Sequence, residues 1–217
     1  SLVSCVSAGA TRNAVRPAAA HRVPPAAFAV ARDVVTGYTR NSMHPSPDHA
    51  ARPPRFGAPI HAAAIMAFGS PDQQAEHLER IRAGDGIYGI AYSEPDSGSD
   101  LASIRTTAHK SAEGWVINGQ KIWTTTYWGE HMWVLARTDP AASPPHAGLS
   151  LFLLRTDTPG VTICPADAMY GGKFANIFFD DVRLPGSALI GARNDAWRIL
   201  NVALSVERTV IGGGILG

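Results

Sequence analysis

Two short segments hold the side chains best suited to binding a small charged molecule. The first runs from Ser93 to Asp100 and reads SEPDSGSD. It leaves a predicted strand and is rich in small hydroxyls and backbone amides. Such a turn can present several N–H and O–H donors to one anion, as a phosphate-binding nest does. Taken alone, however, this composition fits a generic acidic loop between two strands better.

The second segment runs from Asn118 to Thr125 and reads NGQKIWTT. The Asn118-Gly119 pair predicts a tight turn, and the residues after it predict a strand. That strand ends in the indole of Trp123 and the hydroxyls of Thr124 and Thr125. A large aromatic plane beside two hydroxyls is what a planar heterocycle needs for stacking and hydrogen bonding. The two segments together therefore indicate a ligand site.

A helix is predicted before the first segment. Ser70 is the expected N-cap, with Pro71 at the first helical position and Gln73 completing a capping box. Apolar residues follow at three-residue spacing and Gly84 ends the helix. We expect a short amphipathic helix packed against a core.

A run of short β-rich segments separated by turn signals follows, without intervening helical patterns. This pattern predicts an antiparallel barrel or sandwich flanked by helices, in the α+β class. The predicted strands are Ile87–Ser93, Trp115–Asn118, Met132–Arg137, Leu149–Leu154, Val161–Cys164 and Asn176–Val182.

The last predicted element is a helix capped by Asn194 or Asp195. Its apolar stripe comprises Trp197, Leu200, Leu204 and Ile211. The segment 212–217 after it formally satisfies G-x-G-x-x-G, but a dinucleotide site needs a strand before that motif and a helix after it. The glycines therefore favour close helix packing. We interpret the chain as an incomplete version of a longer protein.

The first 55 residues differ in composition from the rest. They hold 12 alanines, seven prolines and seven arginines, with Asp33 and Asp48 as their only acids. No apolar period is sustained there, so we expect a disordered or non-native leader; a basic arm is the alternative. The predicted divisions are this leader (1–55), the end of a helical domain (56–86), a β-domain (87–191) and the first helix of a further helical domain (192–217).

Composition excludes several classes of protein. The formal net charge is +1, which gives no electrostatic case for nucleic acid. No apolar run is long enough to span a membrane, and no secretory signal is recognisable, so a cytoplasmic protein without membrane contact is expected. Two cysteines in no C-x-x-C pair cannot form a disulfide scaffold. The eight histidines form no H-E-x-x-H motif, so no metal site is predicted.

The chain resembles the acyl-CoA dehydrogenase family, in that family's order and spacing, from about Ile60 to Gly217. The matching segments are Tyr88–Asp100, Asn118–Thr125, Phe178–Pro185 and Ser205–Arg208, with a weaker match at Phe68–Gln74. The resemblance implies an N-terminal helical domain, a middle β-domain and a C-terminal helical bundle, with FAD held between the last two domains and across a subunit interface. We expect that bundle to be missing here beyond its first helix.

The resemblance also implies roles for particular residues. The segment Ile90, Ala91, Tyr92 and Ser93 would line the pyrimidine edge of the flavin, and Ser99 would meet phosphates of FAD or of the acyl-CoA. Trp123 would lie against the isoalloxazine ring, and Thr125, with Thr124 beside it, would bind the flavin N5 edge. Asp96 and Ser97 depart from the family's usual Gly-Ala and add a negative charge near the phosphates.

The implied reaction is α,β-dehydrogenation of an acyl-CoA thioester to the trans-2-enoyl-CoA, which needs a carboxylate base. Most members place that base in the C-terminal bundle, but a minority place it on the helix matched here, where Glu207 stands. Glu207 is thus the candidate catalytic residue and Arg208 a candidate acyl-CoA contact; an ion-paired helix edge is the alternative for both. The expected electron acceptor is electron-transferring flavoprotein, and the complete protein is expected to be a homo- or hetero-oligomer. Two further readings are a non-catalytic remnant or partner subunit, and a flavin oxidase or monooxygenase.

Overall fold

The structure is a computed structural model that describes residues 58–83, 87–169 and 171–213. This part of the chain contains three α-helices and eight strands. The predicted leader 1–55 lies outside the described residues. The helices are α1 (Ala58–Phe68), α2 (Pro71–Ala83) and α3 (Ala196–Gly213). The strands are β1 (Tyr88–Ala91), β2 (Thr107–Lys110), β3 (Gly114–Thr124), β4 (His131–Arg137), β5 (Leu149–Arg155), β6 (Val161–Asp167), β7 (Lys173–Pro185) and β8 (Leu189–Ile190).

The strands form one sheet in the order β6-β7-β3-β2-β4-β5-β8, with β1 paired to β4 beside that path. β5 pairs antiparallel along the whole of β4, so β1 and β2 share the other edge of β4, both running parallel to it. The α+β class with flanking helices is confirmed. The sheet is mostly antiparallel but mixed, and over the described residues its path does not close into a barrel.

All six predicted strands are present, whereas β2 and β8 are additional strands that the sequence pattern does not predict. The predicted turn at Asn118-Gly119 is wrong, because both residues lie inside β3. Gly119 has φ +147°, and a Cβ atom there would meet the Thr106 Oγ1 at 2.6 Å. A glycine is needed at this irregular point of the strand, which is a different use from a hairpin turn.

Both faces of the sheet are covered near its centre. Side chains of β4 alternate between the two faces of the sheet, and an apolar cluster covers each face, so β4 is buried along almost its whole length. Trp133 and Leu135 point to a cluster shared with the helices, and Met132 and Val134 point to a cluster within the sheet. This explains why β4 reads as a continuous apolar run instead of an alternating one.

The predicted capping box forms as expected at the start of α2. The Ser70 amide donates to Gln73 Oε1 (2.9 Å), and the Gln73 amide donates to Ser70 Oγ (3.2 Å). Gln73 Nε2 also donates to the carbonyls of Ser187 (2.6 Å) and Leu189 (3.0 Å). One side chain therefore both starts the helix and ties it to the end of the β-domain.

The helix α3 packs on α1 and the sheet through a stripe of apolar residues. The fully buried positions are Ala196, Ile199, Leu200, Ala203 and Val206. Of the predicted stripe, Leu200 is central and Trp197 and Leu204 flank it, whereas the side chain of Ile211 lies outside the described ones. The predicted domain boundaries near residues 86 and 191 fall between elements and remain predictions. Within the described ranges, no helix is both long enough and apolar enough to cross a membrane.

Candidate functional site

A buried ion pair joins the two segments that the sequence singles out. Lys121 on β3 is fully buried, and its Nζ lies 3.0 Å from Glu94 Oε1 and donates to the Tyr92 carbonyl at 2.9 Å. Glu94 begins the turn after β1. The turn and the strand are therefore fixed to each other by a charge-assisted contact that solvent does not reach.

The Glu94 carboxylate makes further bonds that hold the chain after the turn. It accepts the amides of Arg105 (2.6 Å) and Thr106 (2.8 Å). Burial favours the neutral acid, but Lys121 and these donors outweigh it and hold the pKa of Glu94 below its ordinary value. Burial lowers the pKa of Lys121 to about 8, so both partners are charged at pH 7.

A β-bulge in β3 explains how Lys121 and Thr124 both face inward. Side chains of a regular strand alternate, so residues three apart would face opposite sides. Here Lys121 pairs with Ile177 and Thr124 with Ala175, which leaves one extra residue in β3. That extra residue places Trp123 on the outer surface.

Trp123, in one of the two predicted binding segments, has an unusual backbone conformation. Its φ is +67°, in the left-handed region that a bulky residue rarely adopts. Its side chain is 60% exposed and its ring lies 4.5 Å from the Phe174 ring. Strained backbone that holds a large aromatic in solvent is typical of a binding surface.

The predicted segment 90–93 is brought directly against this strand. Three of its backbone carbonyls accept hydrogen bonds from β3. The donor–acceptor pairs are Thr124 Oγ1 to Ile90 (3.0 Å), Lys121 Nζ to Tyr92 (2.9 Å) and the Ile122 amide to Ser93 (3.0 Å). The side chains of Ala91 and Tyr92 are buried, so a ligand would meet these two residues through the backbone.

Of the other predicted contact groups, some are exposed and some are already hydrogen-bonded within the protein. Thr125 and Ser99 are exposed, whereas Thr124 is buried with its hydroxyl bound to the Ile90 carbonyl. In the turn, the amides of Glu94 and Ser97 each bind the other residue's carbonyl (2.8 and 3.0 Å), so these two donors close the turn instead of facing an anion.

Asp96, which stands where the family usually has glycine, lies near a positive charge. Asp96 lies 3.7 Å from the Arg105 guanidinium, and both side chains are largely exposed. Ser97 is buried, with its hydroxyl 2.7 Å from that of Ser103. The negative charge that Asp96 adds is thus partly offset by Arg105 at the same surface.

The candidate catalytic residue Glu207 and its neighbour Arg208 lie on α3, but their side chains are not among the described ones. Sequence reasoning missed Glu94 and Lys121, although both stand inside the quoted motifs. The available signal was that Lys121 stands on the predicted strand next to Ile122 and Trp123, since a lysine buried in a strand requires a partner.

Comparisons with known proteins show which family this chain is similar to. A family model described as the acyl-CoA dehydrogenase middle domain matches residues 89–182. Acyl-CoA dehydrogenase IpdE1 of Mycobacterium tuberculosis is 43% identical over 157 residues, which are 71% of this chain and 40% of that protein. The chain therefore spans about two fifths of the length of this relative.

Solved structures show the same likeness. The ChsE4-ChsE5 complex from Mycobacterium tuberculosis matches with a TM-score of 0.69 and 32% identity, over 81% of this chain and 44% of that one. A glutaryl-CoA dehydrogenase from Mycobacterium smegmatis in complex with FADH2 matches with a TM-score of 0.59 and 33% identity, over 68% and 37%. The chain belongs to the acyl-CoA dehydrogenase family, and the resemblance of its sequence motifs is confirmed.

Proposed function

We propose that this chain supplies the middle-domain part of an FAD-dependent acyl-CoA dehydrogenase, which oxidises an acyl-CoA thioester to the trans-2-enoyl-CoA. The observation that carries the proposal is the exposed indole of Trp123, held on a strained bulge beside the segment 90–93. The FADH2 complex of the glutaryl-CoA dehydrogenase supports FAD as the cofactor.

The described residues fit a flavin in chemical type. Trp123 offers an exposed aromatic face, Thr125 an exposed hydroxyl, and the segment 90–93 its backbone. The exposed Ser99 is suited to a phosphate of FAD or of acyl-CoA. Bound FAD would accept the two electrons that leave the substrate.

This chain's own part in the chemistry is to bind, orient and take up a proton. The Glu207 carboxylate would accept the proton from the carbon α to the thioester, and Arg208 would contact the acyl-CoA. Removal of that base should slow the chemical step by about 100-fold or more.

Anaerobic reduction by substrate tests the dehydrogenase directly. The FAD-loaded chain is mixed with a panel of acyl-CoA thioesters of different chain length and branching, and the loss of oxidised-flavin absorbance is followed. We expect at least one thioester to bleach the flavin, Glu207→Gln to slow the bleaching by about 100-fold or more, and the exposed Glu113→Gln to leave it unchanged. Bleaching at the wild-type rate in Glu207→Gln would rule out this base.

A second candidate is a subunit whose site another chain completes. It is favoured by the solved ChsE4-ChsE5 complex and by the share of its relatives' length that this chain spans. A loaded chain that no thioester reduces would favour this reading, whereas oxygen uptake without another acceptor would indicate an oxidase. If a thioester does reduce the flavin, reduction of added electron-transferring flavoprotein would establish that protein as the electron acceptor.

A further inference from the structure

A second cluster of chemically capable side chains lies where α2 packs on β1 and β4, on residues that the proposed function does not use. It contains His77 of α2, Tyr88 of β1 and His131 of β4. Both histidines are only 5% exposed. The Tyr88 ring stacks on the His131 ring at 5.2 Å, and the two imidazoles meet edge to face, also at 5.2 Å.

The donor atoms of this cluster converge. A ring nitrogen of each histidine and a carboxylate oxygen of Glu76 all lie within 4.8 Å of one another. His77 Nε2 lies 3.9 Å from Glu76 Oε2. His131 Nδ1 is buried and has no hydrogen-bond partner among the described residues, which is costly for a polar atom.

We propose that Glu76, His77 and His131 form a binding site for a divalent transition-metal ion of the zinc type. Two imidazoles and a carboxylate are a common protein ligand set for zinc, with a fourth position left to water. Tetrahedral zinc ligands lie about 3.3 Å apart, since zinc–nitrogen bonds are about 2.0–2.1 Å. The donors lie within 4.8 Å of one another, so coordination would require them to move closer by up to about 1.5 Å.

The surroundings have the features that hold metal-binding histidines in place. His77 Nδ1 lies 3.0 Å from the Tyr88 hydroxyl, which fixes the ring and leaves Nε2 on the Glu76 side. The Glu76 side chain is 62% exposed, so an ion can enter from solvent.

Nearby charges do not oppose a cation. The charged groups that act on the two imidazoles, besides Glu76, are Glu130, Arg80 and Arg155. Glu130 forms ion pairs with both arginines, and Asp157 forms one with Arg155, so two carboxylates offset the two guanidinium charges. No sequence motif predicts this site, because α2 and β4 are far apart along the chain and meet only in the fold.

Since Glu76 and His77 lie on α2 and His131 begins β4, a bound ion would clamp the helix to the sheet. The proposed metal site shares no residue with the proposed flavin and acyl-CoA site. Zinc should therefore stabilise the apoprotein, raising Tm by about 5–10 °C at a hundredfold excess over Kd.

Calorimetric titration of the tag-free full chain with Zn²⁺ tests the site, with Co²⁺ ligand-field spectra to report coordination. We expect one ion per chain at micromolar affinity or tighter, together with the Tm rise. Glu76→Gln alters an exposed side chain and should weaken binding by about 10-fold or more, and His131→Asn by about 100-fold. The exposed controls Glu113→Gln and His109→Asn should bind as the wild type does.

Two outcomes overturn the site. One is the lack of saturable zinc binding by the folded wild type. The other is binding that Glu76→Gln leaves unchanged, which would place the ion on histidines elsewhere in the chain. Since Glu76 is exposed, this second variant keeps the test decisive even if His131→Asn fails to fold.

Discussion

At the scale of single residues, the charged side chain of Lys121 joins the two segments of the candidate site. A buried ammonium is unfavourable unless it is paired and fully hydrogen-bonded. Here Lys121 reaches both Glu94 and the Tyr92 carbonyl. The motifs were recognisable in the sequence, but this contact depends on a tertiary arrangement that motif spacing does not reveal.

Replacing Lys121 by Met should destabilise the fold strongly. The substitution leaves the Glu94 carboxylate buried without its counter-charge, which costs about 3–5 kcal/mol. Urea unfolding measures the loss. The matched control is Lys173→Met, since Lys173 lies 3.0 Å from Asp167 on the exposed surface and its loss should cost less than about 1 kcal/mol. Equal losses in the two variants would contradict a special role for the buried pair.

The stabilisation from Glu94 should depend on pH. Its pKa in the folded protein is below the ordinary value, which is about 4.3 in unfolded chains. The contribution is therefore complete above that value and is lost as the pH falls through it towards the folded pKa. We expect the difference in unfolding free energy between wild type and Glu94→Gln to be constant from pH 7 to about 5 and to shrink below about 4. A difference that stays the same down to pH 3 would be inconsistent with a titrating Glu94.

At the scale of elements, the bulge in β3 could not be predicted from the sequence. The pattern around Trp123 predicts a strand and an aromatic surface, and both are present. The register shift that turns Lys121 and Thr124 to the same side is set by pairing with β7. Asn118-Gly119 was misread for the same reason, since a glycine signals an unusual backbone without saying whether it is a turn or a bulge.

The start of α2, by contrast, was readable from local chemistry, and it yields a prediction. Gln73→Ala removes half of the capping box and two bonds to the β-domain, so it should cost about 2 kcal/mol. Ser70→Ala removes only the cap and should cost about 1 kcal/mol. Thermal or urea unfolding compares the two variants. If Ser70→Ala is as damaging as Gln73→Ala, the link from Gln73 to Ser187 and Leu189 contributes nothing.

At the scale of the whole molecule, the helices and sheet share one apolar cluster, so the site rests on a continuous scaffold. The α+β class and six of the eight strands follow from turn signals and apolar pattern. β8 has only two residues, and β2 reads TAHK with Ala108 as its one apolar residue, so neither strand carries such a pattern. The metal-ligand cluster between α2 and β4 arises only when distant segments pack together.

Flavin retention by the purified chain is the measurement that bears most directly on the proposed site. The chain is incubated with FAD and desalted, and the absorbance of oxidised flavin is read against protein concentration. We expect near-stoichiometric retention by the wild type and by the exposed-tryptophan control Trp128→Ala. Trp123→Gly should bind FAD about 10- to 100-fold more weakly, as expected for the loss of one stacking face.

The stability of Trp123→Gly separates binding from folding. Glycine relieves the left-handed strain at this position, so the variant should unfold within about 1 kcal/mol of the wild type. Lost flavin with retained stability would establish Trp123 as the ring-binding surface. Retention of flavin by Trp123→Gly at the wild-type level, or its complete loss from the wild type, would contradict a flavin site formed by these segments.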